Sequence, residues 1–360
     1  MKIAQIAPLY EAVPPRLYGG TERLIAHLTQ ALIDLGHEVT LFASADSHTD
    51  ARLVAMRKQA LRLDPAPLKS DLASHLILLQ EVQRHADAFD VLHFHTDLLH
   101  FPFFEEMAGR TLTTVHGRLD IKDLPEAYRR WKAFPLASIS KDQRRPLPFA
   151  HWHGTVHHGI DDARFHYHEA LEDGYLAFLG RISPEKRPDR AIAIAIRAGL
   201  PLKMAAKVDT ADREYFEQRI RPLLDHPLIE FLGEISDADK VEFLGNASAL
   251  LFPIDWPEPF GLVMIEAMAC GTPVVAWRCG AVPEVVEQGV SGLIVDNDEQ
   301  AVAAVHQALA LDRRGVRAAF ERRFSSRIMA SAYVDLYRRL PAFADRSPAT
   351  AVLMPGGTNP

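Results

Sequence analysis

The chain has 360 residues, a length that suggests two domains. Apolar residues make up 48% and charged residues 24%, which excludes disorder, collagen and coiled coil as descriptions of the whole. Forty Lys and Arg against 47 Asp and Glu leave a formal net charge of −7, so non-specific binding of nucleic acid is not its main task.

From the start, Lys2 to Pro8 reads as a buried strand rather than a signal peptide, because the apolar stretch is short and holds Gln5. Leu24, Ile25, Leu28, Leu32 and Leu35 recur at helical spacing and predict a helix over Thr21 to Leu35, stopped by Gly36. Glu38 to Ala43 is a strand and Ser70 to Ala86 a helix. Short strands follow at Val91 to His95, Leu112 to Val115, Ala137 to Ser140 and Thr155 to His157. A polar stretch at 160–174 is a candidate linker, after which the pattern restarts. Strands are expected at Tyr175 to Leu179, Leu202 to Ala206, Ile229 to Leu232, Ala249 to Phe252 and Pro273 to Ala276. Helices are expected at Arg187 to Ala198, Asp237 to Asn246, Val282 to Gln288, Asp298 to Leu311 and Ser325 to Leu340. Strands alternating with helices imply α/β domains with parallel sheets covered on both faces. The tail 345–360, with prolines and glycines but no periodicity, is expected to be flexible. Two cysteines, Cys270 and Cys279, allow one bridge at most, so a reducing compartment is the simpler reading. No apolar run approaches 18 residues, so no membrane span is expected, while peripheral attachment stays open.

Ligands of such sheets bind beyond the carboxyl ends of the strands, which directs attention to the strand-to-helix loops. Gly19-Gly20, before the first helix, can let backbone N–H groups approach a phosphate, or can be a turn and cap. The spacing is not that of a G-x-G-x-x-G cofactor loop. Arg181 and Lys186 flank a loop after the first strand of the second half, and two cations there can neutralise a diphosphate without a metal or can be solvated surface. The segment Glu258 to Glu266 places two carboxylates around a helix that begins near Gly261, where unpaired N–H groups and the helix dipole favour an anion. Carboxylates beside an anion make sense as acceptors for sugar and ribose hydroxyls. They can also be a cap and an exposed acid. His116 ends a strand, where it is either catalytic or structural. There are 17 histidines. His93 and His95 share one strand face, and His151, His153, His157 and His158 cluster in sequence; no H-E-x-x-H or C-x-x-C pattern supports a metal site.

In this order and spacing, the segments resemble the retaining glycosyltransferases of family 4, with the GT-B fold, over about residues 1–342. The most specific is Glu258 to Glu266, an E-x7-E pattern continued by Ala267-Met268-Ala269-Cys270-Gly271-Thr272-Pro273. Gly180-Arg181 with Glu185-Lys186 is similar to the family's diphosphate loop, and Tyr18 to Arg23 with Gly36 to Thr40 to its first βα unit. His157 to Asp161 and Gly289 to Val295 are further family-like stretches, with His158 standing where asparagine is usual.

The resemblance implies two Rossmann-like domains facing across a deep cleft. The first, residues 1–165, takes the acceptor and is completed by a crossover helix at 325–342; the second, residues 170–324, takes the donor. It implies Glu258, His116, Arg181 and Lys186 as catalytic residues. Gly19, Gly20, Gly261, Leu262 and Val263 would hold the diphosphate through backbone N–H groups, with Phe260 beside them. Glu266 would bind the ribose, and Gly233 and Ile235 would lie near the base. Lys207, in a segment where the family often has glycine, would add a phosphate contact. The implied reaction moves a hexose, with UDP-glucose expected ahead of GDP-mannose, to an acceptor hydroxyl with retention and without a metal or other cofactor. Competing readings are a GT-B nucleotide-sugar epimerase and a non-catalytic sugar-nucleotide-binding protein. A nicotinamide dehydrogenase lacks its loop. The acceptor is a small molecule, glycan or lipid-linked compound, and no nucleic acid is expected. Loops at Pro14 to Leu17, Leu98 to Phe104 and Arg118 to Pro125 are expected to form its pocket. Leu99, Phe101, Phe103, Phe104, Tyr128 and Trp131 in or near them suit an apolar acceptor or core packing. The expected location is the cytoplasm, including the inner face of the membrane.

Overall fold

A computed structural model describes residues 1–16, 19–169 and 174–344. Among them, strands form two parallel sheets. The first holds β1 (Lys2–Ile6), β2 (Glu38–Ala43), β3 (Arg52–Ala55), β4 (Val91–Phe94), β5 (Thr111–Thr114), β6 (Leu136–Ser138) and β7 (Trp152–Thr155), in the order 3-2-1-4-5-6-7. The second holds β8 (Tyr175–Arg181), β9 (Leu202–Lys207), β10 (Ile229–Gly233), β11 (Ala247–Phe252), β12 (Val274–Trp277) and β13 (Gly292–Val295), in the order 10-9-8-11-12-13. In each sheet the chain starts in the middle and winds first one way, then the other. The order reverses between β1 and β4 and between β8 and β11, and a crevice opens at the carboxyl ends of strands at such a point.

The covering helices are α1 (Gly20–Asp34), α2 (Asp71–His85), α3 (Leu124–Arg130), α4 (Pro188–Ala198), α5 (Arg213–Tyr215), α6 (Asp237–Gly245), α7 (Leu262–Ala269), α8 (Val282–Val285), α9 (Asp298–Ala308), α10 (Arg313–Arg323), α11 (Ser326–Arg338) and α12 (Pro341–Ala344). Side chains of Ser70, Ser236, Asn297, Asp312 and Ser325 accept from the first free N–H groups of α2, α6, α9, α10 and α11. Leu24, Leu28 and Leu32 make a buried stripe on α1 that packs against Met329, Tyr333 and Tyr337 of α11, so the last long helix belongs to the core of the first sheet. The chain therefore crosses between the sheets twice, and the two crossings pair. Ile160 N–H donates to Phe324 O at 2.9 Å, and Ser326 N–H to Ile160 O at 2.8 Å. Beside them, the Glu284 carboxylate accepts from the backbone N–H groups of Lys141 and Asp142, both at 2.8 Å, and lies 3.2 Å from His157 Nε2.

The expected elements recur with several corrections. The strand expected at Thr155 to His157 is β7, over Trp152–Thr155, and the helix expected at Val282 to Gln288 is one turn, because Val286 is extended. The strand at Arg52–Ala55 is an edge with no fully buried position, which hides it from a pattern of apolar residues. Helices α3 and α10 and strand β13 are further additions. The tail 345–360 and residues 170–173 of the candidate linker lie outside the described residues, as do Leu17 and Tyr18.

Candidate functional site

Arg181 ends β8 and Lys207 ends β9, and the sheet register puts the two residues directly opposite. Both turn to Asp209: Lys207 Nζ is 3.0 Å and Arg181 Nη1 3.9 Å from its carboxylate. Arg181 also donates to Glu185 at 3.1 Å. Lys186 follows on a one-turn helix and donates to the Glu258 carboxylate. Its ammonium stands 5.3 Å over the Trp256 ring and 5.8 Å over Phe252. The Glu185 backbone accepts from Asp255 N–H at 2.9 Å, which ties this loop to the one that carries Glu258.

Glu258 lies between β11 and α7. Gly261 precedes α7 with φ +83°, a conformation that favours glycine, and a Cβ there would press on Met264 and Phe252 at 2.8 and 2.9 Å. The first N–H groups of α7, those of Leu262 and Val263, have no partner within the helix, and the positive end of its dipole favours an anion there. Glu266 sits one turn further, is 4% exposed, and accepts from Lys240 of α6 at 2.9 Å. Gly280 closes the arrangement from behind: a Cβ on it would lie 2.4 Å from both the N and the O of Glu258. Nothing in the Glu258 to Glu266 pattern signals Gly280, nor that Lys240 and Asp209 would be the acids' and cations' partners.

From the first sheet, Gly19 caps α1 and Gly20 begins it. A Cβ on Gly20 would lie 3.6 Å from Leu262 Cδ1, so the N-termini of α1 and α7 face each other. His116 follows β5. Its ring stacks on His158 at 5.5 Å between centroids, and His158 meets Phe260 edge-on at 4.8 Å. The His116 and Glu258 loops are thus joined through two aromatic side chains, one of them the residue that stands where asparagine is usual. Burial holds the His116 ring neutral, with its pKa lowered to about 3. Gln143 clamps the backbone on either side, donating to Val115 O and Gly117 O at 2.9 Å each. Arg118 lies 5.4 Å from the Trp256 ring, on which Lys186 also rests.

Between α1, α6 and α7 is a cavity of about 420 Å³, lined among others by Arg23, His27, Arg164, Asp237, Lys240 and Glu266. Arg23 pairs with Asp237 across it. Gly233 ends β10 with φ +72° and open space where a Cβ would be, and Ile235 is half-buried against the α7 core.

Of the candidate acceptor residues, Phe101, Phe104 and Tyr128 are buried in the first core and Trp131 packs against it, while Leu99 and Phe103 are exposed. Core packing accounts for the former group. The histidine-rich segment does not converge either. His153 reaches Leu336 O at 3.0 Å, His157 reaches Glu284, and His151 is exposed. Among the described residues, no group of three or more His, Cys, Asp or Glu side chains is placed to hold a metal ion.

The family model for glycosyl transferases group 1 matches residues 160–324, and that for Glycosyltransferase Family 4 matches residues 18–147. A D-inositol 3-phosphate glycosyltransferase of Mycolicibacterium smegmatis is 34% identical, covering 78% of this chain and 76% of its own. The chain belongs to glycosyltransferase family 4. A phosphatidyl-myo-inositol mannosyltransferase of the same organism is 26% identical over 91% of this chain and 89% of its own. Among solved structures, AviGT4, a glycosyltransferase involved in avilamycin A biosynthesis, is similar with a TM-score of 0.70 at 25% identity, over 95% of this chain and 98% of that one. The fold of this glycosyltransferase is accordingly GT-B. No helix among its described residues is long and apolar enough to cross a membrane.

Proposed function

We propose that this glycosyltransferase moves a hexose from a nucleoside diphosphate sugar to an acceptor hydroxyl, with retention of anomeric configuration and without a metal. The observation that carries this reading is the convergence of Arg181, Lys186, the N-terminus of α7 and the carboxylates of Glu258 and Glu266 at one switch point of the second sheet. Two cations and oriented N–H groups supply the positive charge a departing diphosphate needs, which is the role a metal plays elsewhere. Glu258 accepts from hydroxyls of the transferred sugar and Glu266 from the ribose. Lys207, beside Arg181, adds to the phosphate field. Gly19 and Gly20 close the diphosphate from the first domain, and Gly233 and Ile235 border the base. The acceptor hydroxyl attacks the face from which the diphosphate leaves, and an oxygen of that diphosphate takes its proton. No protein base is then required. Closure of the two domains excludes water and limits hydrolysis. Residues 1–165 with 325–342 take the acceptor, and 170–324 the donor.

UDP-glucose is the first donor to test. GDP-mannose is the second, because one relative carries a mannosyltransferase name. Both relatives' names contain inositol, so inositol phosphates and phosphatidylinositol are the first acceptors to offer. The reaction is placed in the cytoplasm, where two unpaired cysteines stay reduced, and at the inner face of the membrane if the acceptor is lipid-linked. The test is release of nucleoside diphosphate from each donor with and without each acceptor, and the anomeric configuration of the product by NMR. Acceptor-dependent release, a product with the donor's anomeric configuration and a rate unchanged by EDTA are expected. Sugar isomerised without an acceptor would establish an epimerase instead, and binding without turnover across the panel a sugar-nucleotide-binding protein.

A further inference from the structure

The buried polar groups behind His116 form one connected chain, and its proton order can be read from the partners. Gln5 on β1 and His93 on β4 are direct neighbours in the sheet. The Gln5 amide nitrogen lies 3.3 Å from both Tyr337 Oη and His93 Nδ1, and its oxygen lies 2.7 Å from His95 Nε2. Tyr337 Oη lies 2.7 Å from His93 Nδ1. On the far side of that ring, Nε2 lies 2.7 Å from Thr114 Oγ1, which donates to Tyr333 Oη at 2.9 Å. With the Gln5 amide nitrogen turned to Tyr337, one assignment gives each of these contacts a donor and an acceptor. The Gln5 amide donates to Tyr337, Tyr337 to His93 Nδ1, His93 Nε2–H to Thr114, and Thr114 to Tyr333. The amide oxygen of Gln5 then faces His95, and an amide oxygen can only accept. His95 must therefore carry its proton on Nε2, which leaves Nδ1 as an acceptor. His116 Nε2 is 2.9 Å from that Nδ1 and has to donate to it. In a neutral imidazole the second nitrogen is then an acceptor. That nitrogen, His116 Nδ1, is buried and has no partner in the protein.

We infer that Gln5 is a positioning residue: through His95 it fixes the Nε2-protonated tautomer of His116, so that His116 Nδ1 accepts a hydrogen bond from a hydroxyl of the bound sugar. The hydroxyl clause rests on the glycosyltransferase reading above; the tautomer clause does not. Leaving a buried acceptor unsatisfied is costly, and a hydroxyl donor from the substrate removes that cost when it binds. The opposite tautomer would present N–H to the same hydroxyl and would set two acceptors, His95 Nδ1 and His116 Nε2, against each other. The crossover helix takes part through Tyr333 and Tyr337, so α11 and the His116 side of the first domain share one hydrogen-bond system.

The experiment is ¹⁵N NMR of the histidine rings in the full chain, labelled at histidine, together with steady-state kinetics on whichever nucleotide sugar the enzyme consumes. In the wild type, His116 is expected to show a protonated, pyrrole-type Nε2 and an unprotonated, pyridine-type Nδ1. Gln5→Met removes the acceptor oxygen and is expected to shift His116 towards the Nδ1-protonated form, with kcat falling roughly 10-fold to 100-fold and the donor KM changing far less. Gln5→Glu keeps an oxygen facing His95 and is expected to restore the wild-type tautomer and most of kcat, an outcome that a purely structural role for Gln5 does not produce. The inference is overturned if wild-type His116 is protonated at Nδ1, a result that needs no variant to fold. It is also overturned if Gln5→Met folds and keeps the tautomer, or if the tautomer moves and kcat does not. Absence of sugar transfer by the wild type with every donor would instead count against the proposed function and leave the tautomer measurement standing.

Discussion

The ammonium of Lys186 donates to the carboxylate of Glu258, so the cation proposed to meet a diphosphate and the acid proposed to meet its sugar are paired with each other in the free protein. The pair lies on two loops tied by the Asp255–Glu185 backbone hydrogen bond. In the proposed function, a diphosphate that binds Lys186 has to compete with Glu258 for it, and then releases Glu258 to accept from hydroxyls. This exchange predicts opposite effects on binding and turnover.

Glu258→Gln removes the competing charge. The affinity for the bare nucleoside diphosphate is expected to rise about threefold to tenfold, the scale of a partly exposed ion pair. Sugar transfer is expected to fall by on the order of 100-fold or more. Lys186→Ala is expected to weaken both. Titration calorimetry with the diphosphate beside kinetics on the sugar donor separates the two effects, and weaker diphosphate binding by Glu258→Gln would contradict the exchange.

Glu266 and Lys240 form a second pair, at 2.9 Å, in which the acid is almost fully buried. Glu266→Ala leaves the Lys240 ammonium without its main partner, and a loss of roughly 1–3 kcal/mol of stability is expected along with a raised donor KM. Urea unfolding and donor saturation curves check both. A variant with unchanged KM for the donor would remove Glu266 from the ribose site.

Gly280 supports Glu258 through backbone contact alone. At φ +55°, with the N and O of Glu258 2.4 Å from a Cβ, alanine there is strained and must push the Glu258 loop. Gly280→Ala is expected to lose activity well beyond its loss of thermal stability. Equal losses of both would mean that the glycine serves the fold and not the position of Glu258.

Several histidines are buried and held neutral. Burial lowers His27 and His116 to about 3, with Arg164, Arg23 and Lys240 adding to the effect at His27, and takes His93, His95, His100 and His158 well below the ordinary value. These groups protonate near pH 6.5 once unfolded, so between pH 6.5 and about 3 the unfolded chain binds more protons than the folded one. Their stabilising contribution is complete above pH 6.5 and is lost as the pH falls below it, at up to about 1.4 kcal/mol per pH unit for each histidine. Urea midpoints are expected to drop steeply between pH 7 and pH 5.5, with uptake of several protons on unfolding. A flat profile over that range would show that these rings ionise in the folded protein.

Much of this arrangement was legible in the sequence because it is local. Glu258, Gly261 and Glu266 lie on one loop and helix, and Arg181 and Lys186 on another. What escaped is what folding joins across long separations. Gln5, His93, His95 and His116 come together through the registers of parallel strands, and a pattern of types along the chain identifies only that His93 and His95 share a face. Helix α10 was missed for a different reason. The segment is rich in arginine, and Arg313 is buried and donates to the carbonyls of His168, Ala247 and Gly245, so its charge is satisfied inside the protein. The exposed edge strand β3 carries no apolar alternation to find. Phe101 and Phe104 suit a pocket or a core by sequence alone, and packing decides for the core.

Arg181, Lys186 and the start of α7 are proposed to build a nucleoside diphosphate site. The most direct measurement is thermal unfolding of the wild type and Lys186→Ala with UDP, GDP, ADP, TDP and NAD at equal concentration. A ligand at 100 times its dissociation constant stabilises by about 2.7 kcal/mol. One or more nucleoside diphosphates are expected to raise the wild-type midpoint, the shift is expected to shrink in Lys186→Ala, and NAD is expected to have no effect. No shift with any diphosphate in folded protein, or a shift that Lys186→Ala leaves intact, would contradict that proposal.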